Sequence, residues 1–151
     1  RHVINSMNLD PEVHAKHVAR LDEKYKSIQQ KEVRYESYLT DDAEIVLAAF
    51  GITSRICKSV VNKLRRDGLK IGLFRPITLW PFPYDEVRKL TEHAKRFLVV
   101  ELNTGQMVED VRLGVEGRAR VEFFGKVGGV LPAEREIENR LHNLAEGAMT
   151  T

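Results

Sequence analysis

Two short stretches hold the residue types that could do chemistry in this chain. Gly51-Ile52-Thr53-Ser54-Arg55 follows one apolar run, and Glu101-Leu102-Asn103-Thr104-Gly105-Gln106 ends another. Each leads into a helix start, where free N–H groups and the helix dipole favour an anion. Arg55 and Arg75 stand where they could add positive charge. Gly51, Thr53, Ser54, Arg55, Arg75, Glu101, Asn103, Gly105 and Gln106 are therefore the candidates for a crevice that takes a small anion. The plainer alternative is that Ser54 or Thr53 simply caps its own helix. Arg75 and Glu101 lie at the ends of apolar runs, where a lone charge is costly to bury. The choices are pairing with each other, with a ligand or with another chain, and structural pairing is preferred to direct ligand contact. Neither is expected to transfer protons.

Leu79-Trp80-Pro81-Phe82-Pro83 offers a different kind of chemistry. A stiff loop of prolines and aromatics presents apolar area at little entropic cost, which suits Trp80 and Phe82 to a protein interface. The alternative is that both rings fold back onto their own helix layer. No catalytic residue is assigned. The dinucleotide fingerprint, the phosphate loop and the Gly-x-Ser-x-Gly elbow are all absent. His14 and His17 share a helix face without a ligand set, His93 and His142 fall on outer helix faces, and His2 lies in a frayed terminus, so no metal site is assigned. Cys57 suits a small core residue better than a nucleophile. Lys63, Arg65 and Arg66 suit a solvated helix end that complements the dipole.

The elements that must position these residues follow from periodicity. Asp10-Pro11 is a helix start, cap followed by first turn. His14, Val18, Leu21, Tyr25, Ile28, Glu32, Tyr35 and Leu39 recur at steps of four and three, a single stripe broken by polar residues. Such a helix is either an amphipathic arm packed on its own domain or a connector to a preceding one; a coiled coil is disfavoured. Ile45–Phe50, Ile71–Ile77 and Phe97–Leu102 are nearly continuous apolar runs that suit parallel strands covered on both faces. The first two starts, and the second and third, are 26 residues apart, which fits one strand-plus-helix unit each. Arg118–Phe124 is a weaker fourth strand. Ile56, Val60 and Leu64 give the inner stripe of one helix, stopped at Gly68. Val87, Leu90 and Ala94 serve the next, which begins near Pro83; Met107, Val108 and Val111 a third; Ile137, Leu141 and Leu144 a last one, entered through Pro132. The expected architecture is an open, mostly parallel α/β sheet.

Composition narrows the classes. The chain has 151 residues, 42% hydrophobic and 30% charged, enough for one domain with an appendage. Net charge is only +2 with mixed signs along the chain, so no nucleic-acid stripe is expected. The apolar runs are too short to span a bilayer, so no membrane association is expected. A single cysteine excludes an internal disulfide and a cluster held by several cysteines of this chain, and suits a cytoplasmic setting. No signal peptide is seen. The first residue is Arg1 rather than Met, and the expectation is a piece of something larger.

The segment Ile71-Gly-Leu-Phe-Arg-Pro-Ile-Thr-Leu-Trp-Pro-Phe-Pro83, taken with Asn103-Thr-Gly-Gln-Met-Val-Glu-Asp-Val-Arg112, resembles the C-terminal domain of the alpha subunit of 2-oxoacid:ferredoxin oxidoreductases. That domain is similar to the transketolase C-terminal domain. Residues 42–132 carry the resemblance best, and residues 1–41 match the connecting segment loosely. The resemblance implies a three-layer α/β/α sheet with one antiparallel edge strand, for which Val33–Tyr38 is the candidate. A strand there would end the first helix near Gln30, against the stripe that runs on to Leu39. The family's strand order would place the crevice between Gly51–Ser54 and Asn103–Gln106. Residues 1–41 would then be a connector helix and linker to an N-terminal domain, and residues 42–151 the transketolase C-terminal-like domain. The implied enzyme decarboxylates a 2-oxoacid on thiamine diphosphate with magnesium, passes electrons through iron–sulfur clusters to ferredoxin, and forms an acyl-CoA. None of those cofactors would be bound by this piece, whose role would be assembly with the thiamine-binding domain of its own subunit, the beta subunit and possible further subunits. By itself it is expected to be inactive. The alternative is a free-standing binding module for a small anionic ligand.

Overall fold

The computed structural model describes residues 9–146; His2 lies outside them. Strand β1 is Tyr35–Tyr38, β2 Ile45–Ala49, β3 Ile71–Pro76, β4 Arg96–Glu101 and β5 Arg120–Gly125; helix α1 is Pro11–Lys31, α2 Gly51–Arg66, α3 Tyr84–Leu90, α4 Met107–Val115 and α5 Glu134–Glu146. The strands lie in the order β1-β3-β2-β4-β5. β2 pairs in parallel with β3 on one side and β4 on the other, β5 extends the parallel set, and β1 joins β3 antiparallel. This is the expected open sheet with one antiparallel edge strand.

The continuous apolar strands are explained by the two layers that cover them. Ile45, Leu47 and Ala49 of β2 face α2 and α5, where they meet Cys57, Val60, Leu64, Ile137 and Leu141. Val46 and Ala48 point to the other face, into a core with Phe97, Val87, Leu90, Val108 and Val111 from β4, α3 and α4. Alternate residues of one strand thus serve two cores, so no position of β2 can be polar.

The sheet also determines where α1 stops. Asp10 caps it as expected, its Oδ1 accepting from the N–H groups of Glu12 (2.9 Å) and Val13 (3.2 Å). The stripe does not run on as helix to Leu39: α1 ends at Lys31, and Tyr35 is a strand residue paired opposite Pro76. Pairing with β3 outweighs continued helix because it also places alternate side chains on alternate faces. The hydroxyls of Tyr35 and Ser37 donate to Glu86 of α3, while Glu36 accepts from Lys58 of α2 and the Tyr38 hydroxyl donates to Asn62. No residue of α1 is buried. The helix meets the body at Tyr25, whose ring stands edge-on to Trp80 at 5.7 Å.

Arg65 is not a freely solvated helix end. Its guanidinium donates to the carbonyls of Ile71 (2.7 Å) and Leu39 (2.7 Å) and forks onto Asp42, tying the end of α2 to the chain that enters β2 and β3. That hydrogen bond holds the Asp42 carboxyl below its ordinary range. Among the described residues no helix is long and apolar enough to cross a membrane.

Candidate functional site

The crossovers from β2 to β3 and from β3 to β4 run in opposite directions along the sheet, so a switch point opens between the carboxyl ends of β2 and β4. The two loops singled out from the sequence flank it. Their helix starts are built differently.

On the β4 side, Glu101 is fully buried. Its carboxylate turns back onto the start of α4, accepting from the N–H groups of Met107 (2.9 Å) and Val108 (3.0 Å) and at longer range from Gln106 (3.3 Å). Asn103 completes the arrangement: its Nδ2 donates to Glu101 at 3.0 Å, and its Oδ1 accepts from Gly105 N–H at 2.8 Å. Gly105 has a φ of 107°, a conformation that side chains other than glycine's rarely tolerate. Gln106 occupies the cap position with its own side chain exposed. The N–H groups that would receive an external anion are thus already engaged by a carboxylate of the same chain.

On the β2 side, no side chain caps α2. Thr53 and Ser54 are buried, and their hydroxyls donate backwards, Thr53 to the carbonyl of Phe50 (2.5 Å) and Ser54 to that of Gly51 (2.7 Å). The capping alternative for these two residues is therefore corrected: they sit inside the first turn, where a hydroxyl reaches a carbonyl more readily than a free N–H. Gly51 takes a φ of 58°. Arg55 is exposed and, among the described residues, has no ion-pair partner.

Arg75 and Glu101 do not pair with each other. Arg75 bonds to Glu36 of the edge strand at 3.1 Å, and Glu36 also accepts from Lys58 at 2.8 Å. Lys58 first, and Arg75 with it, hold the Glu36 carboxyl below its usual value. The preference for protein partners over a ligand describes both residues, but the partners come from β1 and α4.

The aromatic loop divides. Phe82 is 6% exposed and stacks at an angle against Phe74 and Tyr84 in the α3–α4 core, so its expected place at an interface is corrected: the turn after Pro81 swings it inward. Trp80 is 56% exposed, with only the Tyr25 ring beside it. Trp80, Tyr35, Tyr84 and Lys89 line an open groove of about 970 Å³ between the end of α1 and α3, away from the switch point. The tyrosines there are neutral donors. Asp110 pushes the Tyr84 hydroxyl up to about 12, and Glu86 raises that of Tyr35.

Cys57 is buried in the α2–α5 core, where desolvation pushes its thiol up to about 12. His93 Nε2 lies 2.7 Å from the carbonyl of Thr40, a structural tie at the amino edge. Among the described residues no group of three or more His, Cys, Asp or Glu could hold a metal ion. Residue types and periodicity did not point to Arg65, to Glu36, or to the exposed Ile52, Leu102, Val127, Val130 and Leu131. The available signal for the last five was an aliphatic residue just after each strand end.

Comparison with known proteins adds the lineage. The family described as pyruvate:ferredoxin oxidoreductase core domain II matches residues 43–137. The ketoisovalerate oxidoreductase subunit VorB of Methanothermobacter marburgensis is 46% identical over 125 residues, covering 83% of this chain and 35% of that protein. The 2-oxoglutarate synthase subunit KorA of the same organism is 37% identical over 132 residues, covering 87% of this chain and 35% of that protein. The chain thus spans about a third of the length of these relatives. In fold it resembles a chain of the 2-oxoglutarate:ferredoxin oxidoreductase from Magnetococcus marinus (TM-score 0.76, 22% identity, 90% of this chain and 24% of that one). It also resembles a split-gene transketolase (TM-score 0.61, 14% identity, 73% of this chain and 40% of that one). The matched span takes in β2 through the first turns of α5, the whole parallel sheet and both flanking loops, and on that ground the chain belongs to the pyruvate:ferredoxin oxidoreductase core domain II family.

Proposed function

We propose that this chain is the C-terminal domain of the alpha subunit of a thiamine diphosphate-dependent 2-oxoacid:ferredoxin oxidoreductase. In this reading residues 1–41 are the connector from a thiamine-binding domain, and the rest serves assembly. The family match over residues 43–137 carries it. The relatives at 37–46% identity are named as subunits of ketoisovalerate oxidoreductase and 2-oxoglutarate synthase, which supports oxidation of a 2-oxoacid by the whole protein. Coenzyme A as acceptor is supported by its presence in the Magnetococcus enzyme.

The residues here do not fit the metal-dependent parts of that chemistry. The sole cysteine is buried, and no described cluster suits magnesium. Thiamine diphosphate, magnesium and the iron–sulfur clusters are therefore placed on other parts of the complex, with the beta subunit and ferredoxin as partners in a cytoplasmic assembly. The test is an anoxic pull-down with the full-length parent of this chain, followed by dye reduction dependent on 2-oxoacid and CoA. Recovery of thiamine- and iron–sulfur-containing partners with that activity is the expected result. A lone, colourless, inactive protein overturns the reading.

A second reading, a module that binds a small anion, is favoured by one observation: α2 opens at Gly51 without a side-chain cap, beside Arg55. Because Arg75 is committed to Glu36, Arg55 is the cation this reading needs. A rise in melting temperature with phosphate, thiamine diphosphate or CoA, removed by Arg55→Ala, would establish it.

A further inference from the structure

The two edges of the parallel sheet differ in chemistry. At the amino edge, segments 39–44, 67–70, 91–95 and 116–119 carry six carboxylates against three Lys or Arg. Leu39 is the only large apolar side chain exposed there. At the carboxyl edge, segments 50–55, 77–83, 102–106 and 126–132 contain no Asp or Glu at all, and only Arg55 and Lys126 as cations. Each of these four loops exposes a large aliphatic side chain: Ile52 (45%), Ile77 (54%), Leu102 (37%) and Val130 (57%). Trp80 adds an exposed ring to the same rim.

An apolar rim of this extent, gathered from loops distant in sequence, marks a surface that another macromolecule covers. Its electrostatics select the occupant. At its centre lies the uncapped start of α2, with partial positive charge, beside Arg55. No carboxylate of the four loops answers them, since Glu101 is turned inward onto α4. A second copy of this chain is a poor fit. A two-fold contact would set Arg55 and the positive end of α2 against their own copies. A head-to-tail contact would lay the rim on the amino edge, which offers Leu39 as its sole exposed large apolar group.

We propose that the carboxyl edge is the docking face for another protein component of the assembly, whose contact surface is aliphatic with an Asp or Glu at its centre. That carboxylate is received by the start of α2 and by Arg55. The proposal rests on the assembly reading above and goes further by naming the face and the chemistry of the partner.

The test uses the full-length parent co-expressed with its partner subunits. Ile52→Glu, Val130→Glu, Arg55→Glu and Arg55→Lys are compared with Leu39→Glu at the opposite edge, each checked for unchanged melting before assembly is measured. The expected result is at least tenfold weaker association for Ile52→Glu, Val130→Glu and Arg55→Glu. Arg55→Lys and Leu39→Glu should stay near wild type. If the complex forms but the edge variants bind as wild type does, the assembly reading stands and the docking face is wrong. If the wild-type parent recovers no thiamine- or iron–sulfur-containing partner, both fall. A homodimer in ultracentrifugation that Ile52→Glu abolishes assigns the face to a second copy. Assembly insensitive to Arg55, together with a phosphate-induced melting rise that Arg55→Ala removes, assigns it to a small anion. Either of these last results overturns the proposal.

Discussion

Glu101 shows how a charge can be buried at a sheet edge without serving a ligand. Its oxygens meet two helix N–H groups at 2.9 and 3.0 Å and the Asn103 amide at 3.0 Å, so the carboxylate is satisfied by the turn it organises. Removing it leaves buried donors unpaired. Glu101→Ala should lower stability by about 3 kcal/mol in urea unfolding, and Glu101→Gln by less, because an amide oxygen still accepts. Phe82 and Trp80 separate in the same assay. Phe82→Ala should cost about 3–5 kcal/mol, the range for a buried aromatic. Trp80→Ala should cost about 1 kcal/mol, since only an edge-on contact with Tyr25 is lost. Cys57 gives a pH signature. Burial lifts its thiol from 9.0 to about 12, so the folded state holds a proton that the unfolded state releases. This contribution is complete below pH 9.0 and is lost as pH rises toward about 12. Cys57→Ala should flatten that alkaline loss in denaturation midpoints measured across the window. The native thiol should resist alkylation at pH 8 until the chain unfolds.

At the scale of elements, α1 and β1 contrast in what supports them. β1 is four residues long, yet β3 pairs with it and its side chains reach α2 and α3 on opposite faces. α1 spans 21 residues and buries none of them. A helix without tertiary support is marginal in water. Deleting residues 1–31 from the isolated chain should therefore move the melting temperature by no more than about 2 °C. Amide exchange across 12–30 should be fast beside that of β2 and β4. A large fall in melting temperature would mean that Tyr25 and Trp80 support more of the body than their single contact indicates.

For the whole molecule, the arrangement separates scaffold from surface. Ion pairs such as Arg65–Asp42 and Arg88–Glu116 tie elements at or near the amino edge, while the carboxyl edge is left apolar and poor in charge. No described residue cluster supplies a metal, and the thiol is inaccessible. The isolated chain should therefore show no dye reduction above background with any 2-oxoacid and CoA, measured beside the assembled complex. Turnover by the chain alone would place a catalytic group within it and would remove the assembly role.

Much of the fold was legible along the chain because burial writes itself as local periodicity. Ile45–Ala49 is apolar at every position because both its faces are covered, and Ile56, Val60 and Leu64 repeat because one face of α2 is covered. The loops flanking the switch point were visible for the same reason, standing where apolar runs give way to Gly, Asn and helix starts. What periodicity cannot encode is which distant group a side chain will meet. Arg75 bonds to Glu36 because β1 returns antiparallel beside β3, and Phe82 turns inward because α3 and Phe74 leave it a site in the core. The continuation of the α1 stripe to Tyr35 looked helical until the sheet edge offered Tyr35 a partner opposite Pro76. Local pattern specifies how deeply each residue is buried; the topology of the sheet decides against what, and so which charges are spent on the fold and which face is left to be covered.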